Sequence, residues 1–136
     1  MNAPLRLVPF DGLWEMAIDV PYSMLAGRGE LAWSCGQLAL GAGARVQAPG
    51  DLLAQADVVA DHLDTILRRA GLDRSSVRRL VAYYVPQTDR DGPALIARLL
   101  DRLGEAVIVD LVPVPVFYYD GVLLAVSYTH LRAHET

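Results

Sequence analysis

A chain of 136 residues, 53% hydrophobic and 21% charged, is long enough to bury the core of one domain, and its net charge of -4 excludes the basic surface that phosphate backbones require. A single cysteine excludes an internal disulfide or a cysteine-based metal cluster, and the twelve basic residues are all arginine, which removes the lysine used in Schiff-base chemistry. No apolar run approaches bilayer length, and Met1-Asn2-Ala3-Pro4 does not open a signal peptide, so a cytoplasmic protein with no membrane and no nucleic-acid partner is expected.

Leu13 to Val20 and Leu31 to Leu40 read as strands between the turn signals Asp11-Gly12, Gly27-Arg28-Gly29 and Gly41-Ala42-Gly43. Asp51 follows Pro49-Gly50 as an N-cap, and Leu52, Ala56, Val59, Leu63, Ile66 and Ala70 recur at helical steps until Gly71. On this helix His62 lies between Asp61 and Leu63 and reads as a solvated histidine without a nucleophile to serve. Val77 to Val85 reads as a central strand. Pro93 then sits in the first turn of a second helix with the stripe Leu95, Ile96, Leu99, Leu100 and Leu103, ended by Gly104.

Val107 to Val116 and Val122 onward supply two more strands, and Pro113 and Pro115 suit an edge or a subunit boundary because proline cannot donate to a ladder. The order β-β-α-β-α-β-β predicts an α+β fold, a mixed β-sheet with two helices packed on one face. The other face, taken as apolar from Val107, Val109, Leu111, Val114 and Val116, needs cover, which predicts a homo-oligomer.

The last residues differ in kind. Val126 to Thr136 is what one reading frame of a common tagmentation sequencing adapter encodes, and the preceding adapter bases also complete the codon for Ala125. The expectation is a single domain over 1–124, with 125–136 not native. The i,i+4 pair His130 and His134 is therefore set aside, and no metal site is expected.

Pro21-Tyr22-Ser23, Ser34-Cys35-Gly36-Gln37, a helix containing Gln55 and ending Ile66-Leu67-Arg68-Arg69-Ala70-Gly71-Leu72, and the strand Val77 to Val85 follow in an order and spacing that resemble the RidA/YjgF family. The likeness runs over roughly residues 15 to 124. It implies a chorismate-mutase-like α+β subunit, a homotrimer and small-molecule ligand clefts between neighbouring subunits. The reaction it implies is hydrolysis of reactive imines or enamines, such as 2-aminoacrylate, to a keto acid and ammonia, with no cofactor. Tyr22 matches the family's cleft tyrosine, and Cys35 and Gly36 match the pair whose backbone faces the ligand. Gln37 completes that motif as a structural residue, and Cys35 itself reads as a small buried side chain.

One departure stands out. The family's deaminases carry an arginine early in the penultimate strand, where residues 107 to 119 hold none, and Asp110 falls there instead. An acid at that place repels a carboxylate substrate. The family's catalytic acid falls near Ala125 or Val126, inside the adapter-encoded stretch. Phe117, Tyr118 and Tyr119 read either as cleft lining for an apolar or aromatic ligand, with Tyr118 as the candidate contact, or as interface packing, which is preferred. The expected function is a bacterial imine or enamine hydrolase of altered specificity; the alternative is a non-catalytic trimer that binds a small metabolite.

Overall fold

Pro49-Gly50 ends an irregular loop, and Asp51 then accepts the Ala54 N–H at 3.1 Å to start α1 (Leu52–Arg69). The structure, a computed structural model, describes residues 5–9, 12–17, 23–28, 31–72, 75 and 77–130. Helix α1 closes in a Schellman motif: Leu72 N–H reaches Leu67 O at 2.8 Å and Gly71 N–H reaches Arg68 O at 3.0 Å, with Gly71 at φ 75. Asp91 gathers the Gln87 and Thr88 N–H groups and opens α2 (Asp91–Leu103). Arg98 pairs with Asp57 at 2.7 Å, and Arg102 pairs with both Asp57 and Asp61, tying α2 to α1.

Seven strands form one mixed sheet: β1 (Leu5–Val8), β2 (Leu25–Arg28), β3 (Leu31–Ser34), β4 (Gln37–Leu38), β5 (Arg79–Tyr84), β6 (Ile108–Pro113) and β7 (Leu124–His130). Their order is β1-β2-β3-β7-β5-β6, with β4 also on β7, and only β5 and β6 run parallel. Burial follows the pleat. Leu25, Ala32, Ser34, Gln37, Leu80, Ala82, Leu124, Val126 and Tyr128 turn to the helix side and are buried with Ala56, Val59, Leu63 and Ile66 of α1 and Leu95, Leu99 and Leu103 of α2.

Among the described residues no helix covers the opposite face. Leu7, Leu31, Trp33, Tyr83, Ile108 and Val112 stand exposed on it, with Ile108 at 57%. Val109 and Leu111, expected on that face, instead point to the helices, because the register pairs them with buried Leu80 and Ala82. The open face is apolar through the other half of the alternation. Strand β6 lies at the sheet edge, as Pro113 in it requires, and β5 lies inside.

The N-terminal part departs most from expectation. Residues 13–17 form no strand, since Trp14 turns inward and Glu15 N–H binds Gly41 O; residues 18–22, with Tyr22, lie outside the described residues. Leu5–Val8 and Leu25–Arg28 are the paired strands instead, so Gly27-Arg28 is ladder rather than turn. The stretch read as one strand, Leu31 to Leu40, breaks at Cys35-Gly36 into β3 and β4.

His62 is also corrected. It is buried, stacks on Trp14 with ring centroids 6.3 Å apart, and its Nε2 lies 3.0 Å from Leu40 O, so that nitrogen carries the proton and donates. Burial lowers its pKa below 6.5, ahead of the opposing effects of Leu40 and Asp61. Below pH 6.5 the unfolded chain then takes up the proton more readily than the folded one, so stability is complete above that pH and falls as pH drops through the lowered folded value. Thermal melts between pH 7.5 and 5 test this: the melting temperature falls with pH, and His62→Gln flattens the fall. An equal fall in both proteins refutes the assignment.

Candidate functional site

The break between β3 and β4 is built around one amide. Gln37 is fully buried; its Oε1 accepts Trp14 Nε1–H at 2.8 Å, and its Nε2 donates to Cys35 O at 3.2 Å and contacts Cys35 Sγ at 3.4 Å. Ser34 Oγ also donates to Cys35 O, at 2.9 Å. Burial, ahead of the small opposing effects of those contacts, pushes the Cys35 thiol up to about 11. At neutral pH it is protonated and is no nucleophile.

Gly36 follows at half burial. A Cβ placed there would meet only Ala125 Cβ, at 3.8 Å. Ala125 pairs with Leu38 and Tyr83 and turns to the side away from the helices, although only 8% of it is exposed, whereas Val126 pairs with Gln37 and Ala82 and is buried in the core. The two positions where a family acid is expected are therefore unlike: residue 125 adjoins Gly36, and residue 126 does not share its face.

Asp110 is exposed on β6, and Arg79 Nε stands 3.0 Å from its Oδ2. The bare acid expected from sequence is thus a neutralised pair, in partly exposed surroundings where such a pair contributes about 0–1 kcal/mol. From Gly36 to Asp110 the sheet crosses three strand spacings, roughly 14 Å.

Tyr118 lies elsewhere again. Residues 115–123 join β6 to β7 at the end of β5 and wrap an open hollow of about 360 Å³ with Val85. Tyr118 is 83% exposed and meets Tyr119 edge-on at 5.0 Å, while Tyr119 Oη accepts the Ala17 N–H at 2.9 Å. Fully buried Gln55 fixes the base of this loop: Nε2 donates to Ala48 O and Gly121 O, and Oε1 accepts Leu123 N–H at 2.8 Å. A second hollow of about 400 Å³ lies beside the first turns of α1 and α2, with Gln87 and Arg90 in its wall.

Within the chain, then, Gly36 lies near position 125 beside Cys35, while Asp110 and Tyr118 stand apart from them and from each other. Sequence reading overlooked Trp14, Arg79 and the clamping role of Gln55. Strand alternation could have signalled Arg79, which must face opposite to Leu80; nothing local announces that Trp14 reaches Gln37, 23 residues away.

The fold recurs in solved structures. A member of the YjgF/YER057c/UK114 family from Mycobacterium tuberculosis matches over 95% of this chain and 100% of its own, with TM-score 0.73 and 20% identity. The fold is that of the RidA/YjgF proteins. The YjgF gene product of E. coli matches this chain over 93% of its length and 98% of its own, with TM-score 0.73 and 17% identity. E. coli TdcF with bound serine matches over 88% and 98%, with TM-score 0.69 and 17% identity. No family model and no curated protein matches the sequence.

The thiol gives a direct check on the geometry. In the folded chain, Cys35 reacts with iodoacetamide at pH 7.5 at least tenfold more slowly than in the denatured chain. Reaction at the rate of a free cysteine contradicts the burial described.

Proposed function

We propose that the chain is a cofactor-independent imine or enamine hydrolase of the RidA type, working as a cytoplasmic homotrimer whose ligand clefts lie between subunits. The observation that carries it is the nearness of Gly36 to position 125, where a Cβ built on the glycine would lie 3.8 Å from Ala125 Cβ, on the sheet side that the helices leave uncovered. A backbone donor and the place for a general acid adjoin there, in the arrangement needed to orient a carbonyl-like substrate and a water. The bound serine of TdcF supports a small amino-acid-like ligand for this fold. Scattered candidates fit the same reading: Asp110 at an edge strand and Tyr118 on an exposed loop belong to a cleft that a neighbouring copy completes, and Tyr22 is assigned to it on the resemblance.

In this reading residues 125–136 are foreign, and the native chain has its own residue at 125. Pleat alternation makes residue 125 or 127, not 126, the place for an acid. Resequencing the source gene beyond the codon for Leu124, without tagmentation, returns Asp or Glu at 125 or 127. An ending with no acid on that face counts against the hydrolase. The restored protein then speeds ammonia release from generated 2-iminopropionate or 2-aminoacrylate; an unchanged rate sinks the catalytic reading.

The Arg79–Asp110 pair favours a second reading, a trimer that binds a metabolite without turning it over, because the guanidinium beside Asp110 is engaged. The two readings share the assembly. Size-exclusion with light scattering gives three times the subunit mass, and Trp33→Asp with Ile108→Asp, which charge the open face, shift it toward the monomer. A wild-type monomer at micromolar concentration overturns both.

A further inference from the structure

The loop between β6 and β7 sets three consecutive aromatic side chains around one hollow. Phe117, Tyr118 and Tyr119 line about 360 Å³ of open space together with Val85, Val116 and Leu123. That volume lies at the lower end of the ~300–1,000 Å³ typical of small-ligand sites. Tyr118 and Tyr119 meet with ring centroids 5.0 Å apart and planes at 84°, so the rings stand as walls at right angles rather than as a closed stack. Phe117 and Tyr119 are partly buried against the core, whereas Tyr118 stands 83% exposed.

These walls are held in place by the chain itself. Tyr119 O accepts the Val122 N–H at 3.2 Å and closes a turn whose third residue, Gly121, sits at φ 86, where a Cβ would come within 2.9 Å of Pro49 Cβ. Gln55 binds Gly121 O and the Leu123 N–H from inside, and Tyr119 Oη accepts the Ala17 N–H. The same turn puts Asp120, which is exposed, in the wall of the hollow, and it is the only charged residue there. Among the described residues no hydrogen bond or ion pair engages its carboxylate.

We propose that this hollow binds an organic cation, an alkylated or quaternary ammonium group, with the rings of Phe117, Tyr118 and Tyr119 against its alkyl groups and Asp120 as its counter-charge. Aromatic faces carry negative potential and attract a cation whose apolar shell also gains from leaving water. A neutral ligand gains nothing from Asp120, and an anion is repelled by it. Every wall comes from one chain, so the site needs no neighbouring copy, no turnover and none of the groups around Gly36.

Choline and 3,3-dimethyl-1-butanol share a shape and differ in charge, which makes them the probes. Proton spectra follow the N-methyl signal of choline and the tert-butyl signal of the alcohol as each is titrated against the full chain, since aromatic rings move such signals upfield. Choline binds saturably, and the alcohol binds roughly fivefold more weakly or worse, the equivalent of one cation–π contact. Tyr118→Ala, at an exposed position, raises the apparent Kd for choline by roughly the same factor, while Tyr118→Phe keeps the ring and stays within about twofold of wild type. Asp120→Asn also raises it and removes most of its dependence on sodium chloride. Equal binding of the two probes overturns the proposal and leaves a plain apolar hollow. A choline signal that does not move overturns it too, as does choline binding that neither Tyr118→Ala nor Asp120→Asn weakens. Ammonia release keeps this idea apart from the hydrolase: choline binding without turnover leaves the inference standing, and turnover without choline binding overturns this inference alone.

Discussion

Both helices cover the same side of the sheet, and that asymmetry governs everything else the chain can do. One side is sealed by Leu63, Ile66, Leu95 and Leu99, and the other presents Leu31, Trp33, Tyr83, Ile108 and Val112 to whatever comes. Apolar area removed from water contributes about 25 cal/mol per Å², so a face of this kind favours burial. Any site on it is therefore built partly from the chain and partly from what covers it. Gly36, Asp110 and Tyr118 stand apart within the chain, and only under the proposed assembly do they belong to one cleft.

Two buried amides hold the parts of the chain that are neither helix nor ladder. Gln37 fixes the interruption between β3 and β4, and Gln55 fastens the loop after Ala48 to the loop before β7. Each uses an acceptor and donors at once, which no aliphatic side chain can do, and each is completely buried. Removing either leaves backbone groups unpaired in the core, each costing about 1–3 kcal/mol, whereas the charged pairs on the helix surface count for less. The segments that carry the candidate site are thus held by polar groups and the scaffold by apolar ones.

The helices were legible because their signals are local: Asp51, Gly71 and the three- and four-residue apolar steps all act within a few residues. The strand β6 at the edge was legible from Pro113 and Pro115. The N-terminal strands were not, because Leu5–Val8 is only four residues long and Gly27 sits in a ladder where glycine ordinarily signals a turn. His62 was misread for a related reason. Its helical phase and acidic neighbour suggested solvent, and only the distant Trp14 and Leu40, brought together by the sheet, make its position an interior one. For the site, the Ser34 to Gln37 motif was named from sequence but read as the middle of one strand, and the partner of Asp110 was missed, since Arg79 meets it across a parallel pairing 31 positions away.

That pairing bears on the chemistry of the face. Arg79 and Asp110 are each about half exposed, and in such surroundings their attraction adds little to the stability of the lone subunit. Set among Ile108, Val112 and Tyr83, the pair instead makes the face discriminating. Covering it removes water from both charges, and the cost is recovered only by a surface or ligand that keeps the pair intact or offers each charge a new partner. An unselective apolar contact does neither. The same two residues that neutralise each other in the chain thereby limit which surfaces can cover this face without loss.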